Sequence, residues 1–193
     1  MMETERLQLR SARWIARFAM EHTLADGMTA VDCTMGNGHD TLLLAELVGP
    51  HGHVDAFDVQ EEAIVSTEAR LVREGVAERV SLHLAGHERI SEFVQGPVNM
   101  IVFNLGWLPG GDKSRTTMWE TTRFAVTSGL ELLAPMGMMS VCAYPGHAEG
   151  EKERRGLAAL FSSLPPRRFN VIRHSFINAV DAPECFLIQR QMD

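Results

Sequence analysis

The stretch from Thr29 to Thr41, Thr-Ala-Val-Asp-Cys-Thr-Met-Gly-Asn-Gly-His-Asp-Thr, limits the possible folds most. A short apolar run ends in a carboxylate at Asp32, turns through two closely spaced glycines and passes into a helical pattern. A strand, a glycine turn and a helix in that order seat a nucleotide-like ligand in α/β sheets, because Gly36 and Gly38 let the backbone turn tightly and come close to it. A dinucleotide fingerprint wants a third glycine three residues after Gly38, where this chain has Thr41. The missing glycine argues against a dehydrogenase. It favours a cofactor without a pyrophosphate, of which S-adenosylmethionine is the commonest.

Gly52-His-Val-Asp-Ala-Phe-Asp58 reads as a second short strand ending in an acid. It lies about 20 residues past the glycines, where an Asp or Glu hydrogen-bonds ribose hydroxyls. Asp58 suits that role better than Asp55, which falls inside the strand, whereas Asp58 ends it just before the helical run from Glu61 to Val72. Helix capping is the alternative for Asp58.

The alternation continues along the chain. A helix from Leu7 to Thr23 precedes strands centred on Ala30, Val54, Leu82, Val102 and Met139, which alternate with helices starting near Asp40, Glu61, Ser91 and Met118. Such repetition predicts a parallel sheet with right-handed crossovers. A further helix, Glu151 to Leu164, stops at Pro165-Pro166, and two extended runs, Arg168 to Ile177 and Glu184 to Gln189, close the chain around a polar turn at Asn178 to Pro183. The expected fold class is α/β, a Rossmann-like class I S-adenosylmethionine-dependent methyltransferase with a mostly parallel seven-stranded sheet and a C-terminal antiparallel hairpin. With 193 residues, 45% of them hydrophobic, the chain suits one domain over 1–193 and is short for two.

No apolar run approaches the roughly 18 residues of a membrane span, and the amino terminus lacks a basic region followed by an apolar core. The expected location is the cytoplasm. Cys33, Cys142 and Cys185 are odd in number and widely spaced, which suits reduced, buried thiols better than disulfides, and no metal site is expected. The net charge of −7 argues against a general nucleic-acid binder but not against a selective one. Basic residues do cluster locally in Lys152-Glu-Arg-Arg155 and Pro165-Pro-Arg-Arg-Phe169, either as contacts to phosphates or as solvated faces.

The chemistry is expected at the carboxyl end of the fourth strand, where Asn99 to Asn104 runs into a turn rich in glycine. An Asn at this place followed by an aromatic resembles the Asn-Pro-Pro-Tyr signature of amino-group methyltransferases. In that arrangement the Asn carbonyl accepts an N–H bond of the target nitrogen and leaves its lone pair facing the methyl group. Packing of Trp107 within a flexible loop is the plainer alternative.

Four motifs in order then carry a more specific resemblance: Thr34-Met-Gly-Asn-Gly-His-Asp-Thr41, Asn104-Leu-Gly-Trp-Leu-Pro-Gly-Gly-Asp-Lys113, Glu120-Thr-Thr122 and Tyr144-Pro-Gly-His147. Over nearly the whole chain it resembles the rRNA methylase family of the YtqB type, whose members are understood as MnmM-type tRNA wobble-uridine methyltransferases. Trp107 stands where Tyr is more usual, and Ala182-Pro-Glu-Cys185 is less proline-rich than the family pattern. The resemblance implies S-adenosyl-L-methionine as donor and methylation of the amino nitrogen of 5-aminomethyl-(2-thio)uridine at the anticodon wobble position. It implies that Asp32, Gly36, Asn37 and Gly38 line the methionine part of the cofactor, with His39, Asp40, Asn104 and Leu105 around them. It places Asp58 and Gln60 at the ribose and His87 at the adenine. Asp40 also suits a first-turn acid at a helix start, and His87 an exposed loop.

A primary amine is protonated at neutral pH and must lose a proton before it attacks. Asn104 is expected to position it, with Asp112 as the carboxylate that accepts the proton and Tyr144 and His147 as rivals. Asp112 beside two glycines also reads as a turn residue. Trp107, Gly110, Gly111, Lys113 and Arg115 are expected at the substrate, and Arg154, Arg155, Arg167 and Arg168 at phosphates, where contacts position RNA without reading its sequence. The expected partners are the tRNA anticodon arm and no membrane, with a homodimer left open. A methyltransferase acting on rRNA or on a small-molecule amine, and a binding module without activity, are the alternatives.

Overall fold

A computed structural model describes residues 11–108, 110, 115–179 and 181–192. The chain opens with helix α1 (Ala12–Thr23) and then alternates strand and helix: β1 (Thr29–Asp32), α2 (His39–Leu47), β2 (His53–Asp58), α3 (Glu61–Arg73), β3 (Val80–Leu84), the short α4 (Ile90–Phe93), β4 (Val98–Asn104), α5 (Trp119–Leu132) and β5 (Leu133–Ala143). Helix α6 (Ala148–Ser162) leads to β6 (Phe169–His174) and β7 (Glu184–Arg190). The seven strands form one sheet in the order β3-β2-β1-β4-β5-β7-β6. The first five are parallel; β6 and β7 form the expected antiparallel hairpin, and β7 inserts antiparallel between β5 and β6.

The near-continuous apolar run of β4 is what a strand covered on both faces needs. Met100 and Val102 face α1, α2 and α3 through Ala16, Met20, Leu44 and Leu71. Ile101 and Phe103 face α4, α5 and α6 through Ile90, Val126, Leu130, Leu157 and Phe161. The chain runs outward from β1 to β3 and returns to β4, so the strand order reverses between β1 and β4. Ligands of open α/β sheets bind beyond the carboxyl ends of the strands at such a point.

Three boundaries differ from expectation. The helix expected from Ser91 is a 3-10 turn (His87–Arg89) running into four residues of α4, since Gly96-Pro97 follows closely and a residue before proline avoids the helical region. Helix α6 begins three residues early because His147 caps it, its Nδ1 accepting the Gly150 N–H at 3.2 Å. Strand β6 stops at His174, where its pairing with β7 ends at Cys185. The first residues of the expected amino-terminal helix, 7–10, lie outside the described residues.

Candidate active site

A cavity of about 970 Å³ opens at the carboxyl ends of the parallel strands. One wall is the glycine turn after β1. Gly36, with φ +50°, lines it, and a Cβ there would meet Leu108 Cδ1 at 3.3 Å. Gly38, expected beside it, does different work. At φ +76° a Cβ would lie 2.8 Å from Thr67 Oγ1 and 3.0 Å from Thr67 Cα, so its bareness lets the turn pack on α3, behind the cavity wall.

Asp32 likewise does not reach the cavity. It is 1% exposed; its Oδ1 accepts the Thr34 N–H at 3.1 Å and its Oδ2 the Thr41 hydroxyl at 2.6 Å. Burial, with the negative charge of Asp40 adding to it, pushes its carboxyl up to about 7. Asp32 therefore fastens the turn to α2, and Thr41 replaces the third glycine because its hydroxyl satisfies this buried acid. From outside, Arg70 of α3 donates to Asn37 O at 2.8 Å and to His39 Nε2 at 3.2 Å, which holds the turn from its other side.

Asp58 ends β2 as expected and joins the cavity wall with Gln60. Its Oδ2 accepts the Gly36 N–H at 3.1 Å and its Oδ1 the Gln60 N–H at 3.0 Å, while burial raises its carboxyl above the usual range. His87 is buried against Phe103 and donates from Nδ1 to Cys33 O at 3.2 Å. Burial lowers its pKa and keeps it neutral, so Nε2 is left as an acceptor, without a partner among the described residues. Cys33 is enclosed too, and burial pushes its thiol up, away from reactivity.

The far end of the cavity is built on Asn104, the last residue of β4. Thr34 Oγ1 accepts its backbone N–H at 2.7 Å. Its side-chain Nδ2 donates to Asp40 Oδ2 at 3.1 Å, and its Oδ1 accepts the Tyr144 hydroxyl at 2.7 Å. A carboxylate only accepts, so Asp40 fixes which way the amide points. Tyr144, a rival proton acceptor by sequence, has its phenol pushed well up by burial and serves as a donor that holds Asn104. Arg13 on α1, which sequence reasoning missed, lines the same end, with Nη2 4.0 Å from Asp40 Oδ1.

The chain after Asn104 turns through Gly106 at φ +121°, and Trp107 bridges to Thr116. Pro109 and 111–114, and with them Gly111, Asp112 and Lys113, lie outside the described residues; Gly110 is exposed at φ +84°. Trp107 packs on the His147 ring at 4.8 Å, and both line the cavity with Leu105, Met118 and Arg115. His147, the other rival base, spends Nδ1 on capping α6. The loop is anchored from below: Gly106 N–H donates to Thr117 Oγ1 at 2.8 Å, and that hydroxyl donates to Glu153 Oε2 at 3.0 Å. Glu153 is wholly buried, takes a second hydroxyl from Thr122 at 2.6 Å, and is pushed up to about 7 by burial.

The four arginines expected at phosphates divide. Arg154 and Arg155 on α6 both pair with Glu151. Arg168 pairs with Glu131 near the end of α5, just before β5 begins, so it and its neighbour Arg167 sit at the end of the sheet opposite the cavity. There they lie away from the cavity, unlike the arginines that line it.

The family model described as "Putative rRNA methylase" matches residues 54–190, most of the chain. A chloroplastic tRNA (mnm5s2U34)-methyltransferase of Arabidopsis thaliana is 34% identical, with 94% of this chain and 70% of the relative covered. The chain belongs to this rRNA methylase family. Among solved structures, a "putative rRNA-methylase" of Clostridium thermocellum superposes on this family member with TM-score 0.92 and 34% identity, covering 95% of this chain and all of the other. A "putative methyltransferase" of Streptococcus mutans, in complex with SAH, superposes with TM-score 0.86 and 29% identity, covering 95% and 99%. The rRNA methylase family member described here is thus a methyltransferase of the Rossmann-like class. No helix among its described residues is long and apolar enough to cross a membrane.

Proposed function

We propose that this methyltransferase uses S-adenosylmethionine to methylate the amino nitrogen of 5-aminomethyl-(2-thio)uridine at the tRNA wobble position. The observation that carries the reading is the Asn104 amide, held at both ends by Asp40 and Tyr144 in a cavity that the glycine turn also lines. The residues fit the cofactor: Gly36 leaves a cradle that a Cβ would narrow, Asp58 keeps acceptor capacity for ribose hydroxyls, and His87 Nε2 is an unused buried acceptor suited to an exocyclic amine. Asn37 and His39 border the space left for its methionine part. When bound, it supplies an electrophilic methyl group.

The chain's own task is placement. One Asn104 Oδ1 lone pair is taken by Tyr144, and the other accepts an N–H of the incoming amine, which sets the direction of the nitrogen lone pair. Trp107 offers a flat apolar surface on which an unstacked base can lie, a common means of holding single-stranded RNA. Arg115 and Arg13 are the described arginines that line the cavity, and Arg154 and Arg155 on α6 keep their expected role at phosphates.

The Arabidopsis relative favours tRNA over the rRNA of the family's description. Mass spectrometry of wobble nucleosides from a deletion strain tests the choice. The strain should accumulate the unmethylated aminomethyl nucleoside, and unchanged methylated product would contradict it.

A further inference from the structure

Asp40 stands in the first turn of α2, where the helix dipole favours a carboxylate. It lines the cavity, with its side chain one-quarter exposed. Its Oδ2 takes the Asn104 amide, and its Oδ1 has the Arg13 guanidinium 4.0 Å away. Asp58, the acid of the opposite wall, is tied to Gly36 and Gln60. Asn104 Oδ1 and Asp40 are therefore separated by a single amide group, so an ammonium seated on the first lies beside the second. Among the described residues, the charged and titratable groups facing Asp40 are Arg13 from α1, His39 on its own helix, Asp32 from the end of β1, Cys142 from β5 and Tyr144 just after it. Arg13 is the one permanent cation among them.

We propose that Asp40 binds the acceptor ammonium and takes its proton, which rests on the reading of the site as an amino-methyltransferase. The ammonium gives one proton to a carboxylate oxygen of Asp40. The freed nitrogen lone pair forms the new N–C bond as the donor's C–S bond breaks and its electron pair stays on sulfur. The product leaves as a secondary ammonium, and the proton on Asp40 passes to solvent. Asn104 and Tyr144 hold the geometry and carry no proton.

The test uses an anticodon stem-loop RNA with 5-aminomethyl-2-thiouridine at the wobble position, and the same RNA with 5-methyl-2-thiouridine. Asp40→Asn should keep wild-type affinity for S-adenosylhomocysteine. Its single-turnover rate at neutral pH should fall about 100-fold, in the range of a lost general base. That rate should climb about tenfold per pH unit as the free-amine fraction grows, while the wild-type rate levels off. In equilibrium binding the wild type should prefer the aminomethyl RNA, and Asp40→Asn should bind both RNAs alike. Asp40→Glu should run slowly yet keep the preference and the levelling, which carries the test if Asp40→Asn does not fold. Wild-type rates across pH in Asp40→Asn, an unchanged preference, or a loss confined to cofactor affinity would overturn the assignment and leave the acceptor reading standing. If the wild type methylates neither RNA, the acceptor reading falls and takes the role of Asp40 with it.

Discussion

Asp32 and Glu153 are buried carboxylates, each raised to about 7. Unfolded, a carboxylate titrates near about 4, so each binds a proton more readily in the folded chain. Each therefore withdraws stability as pH rises from about 4 to about 7 and no more above that. Glu153→Gln escapes this loss, so its melting-temperature deficit against the wild type should shrink between pH 5 and pH 8; a deficit constant with pH would contradict the buried-acid account. Gly38→Ala should destabilise by about 1–2 kcal/mol from the left-handed backbone alone, with the Thr67 contact adding to it, as denaturant titration would measure. Asp58→Ala should lower the melting temperature modestly, by leaving the Gly36 and Gln60 N–H groups unpaired, and should weaken S-adenosylhomocysteine binding at least tenfold by calorimetry, because it removes both a ribose acceptor and the Gly36 anchor. Gly36, Asp58 and Asn104 are legible in the sequence because each closes a strand or opens a turn at a fixed spacing. Asp32 and Gly38 are misplaced by it for a physical reason. Spacing fixes where a turn occurs, whereas the direction of each side chain within it depends on what packs beneath, here Thr41 and α3.

Helix α6 shows the same limit one level up. Its start and end are legible within a few residues from Gly150 and the two prolines, but in the sequence Glu153 passes for part of a basic, solvated run. The overlooked signal is phase: Glu153, Leu157 and Phe161 recur every four residues on one helix face, and all three are buried. The carboxylate is there to receive Thr117 and Thr122, which ties α6, α5 and the loop after β4 into one unit. Thr117→Val removes the link between Glu153 and the Gly106 N–H and leaves buried polar groups unpaired, at a cost of about 1–3 kcal/mol. The expected outcome is unchanged cofactor affinity with kcat/KM for the acceptor RNA reduced about tenfold or more. Equal losses for cofactor and RNA would mean that the link supports the fold in general and not the acceptor loop.

At the scale of the molecule, the alternation of strands and helices and the terminal hairpin are enough to predict one seven-stranded sheet, because parallel strands joined by helices have few ways to pack. The insertion of β7 between β5 and β6 is not spelled out by local pattern. Helix α6 brings the chain back before β6, so β6 runs in the direction of β5 and its start, with Arg167 and Arg168, lies at the end away from the cavity. Replacing Arg167 and Arg168 with Gln should therefore leave tRNA kinetics and their salt dependence unchanged. Arg115→Gln should raise KM for tRNA and flatten its salt dependence, since a cation that neutralises a phosphate releases counterions and its neutral replacement does not. The central claim is that the amide clamped between Asp40 and Tyr144 presents an aminomethyl wobble uridine to the methyl donor. Its most direct test is transfer of labelled methyl from S-adenosylmethionine by the purified protein, offered unmethylated tRNA, rRNA and small-molecule amines side by side, with the product nucleoside identified by mass spectrometry. The account predicts label on the aminomethyl nitrogen of the tRNA wobble uridine, abolished by Asn104→Ala with both substrates still bound; label in rRNA or in free amines alone, or full transfer by Asn104→Ala, would contradict it.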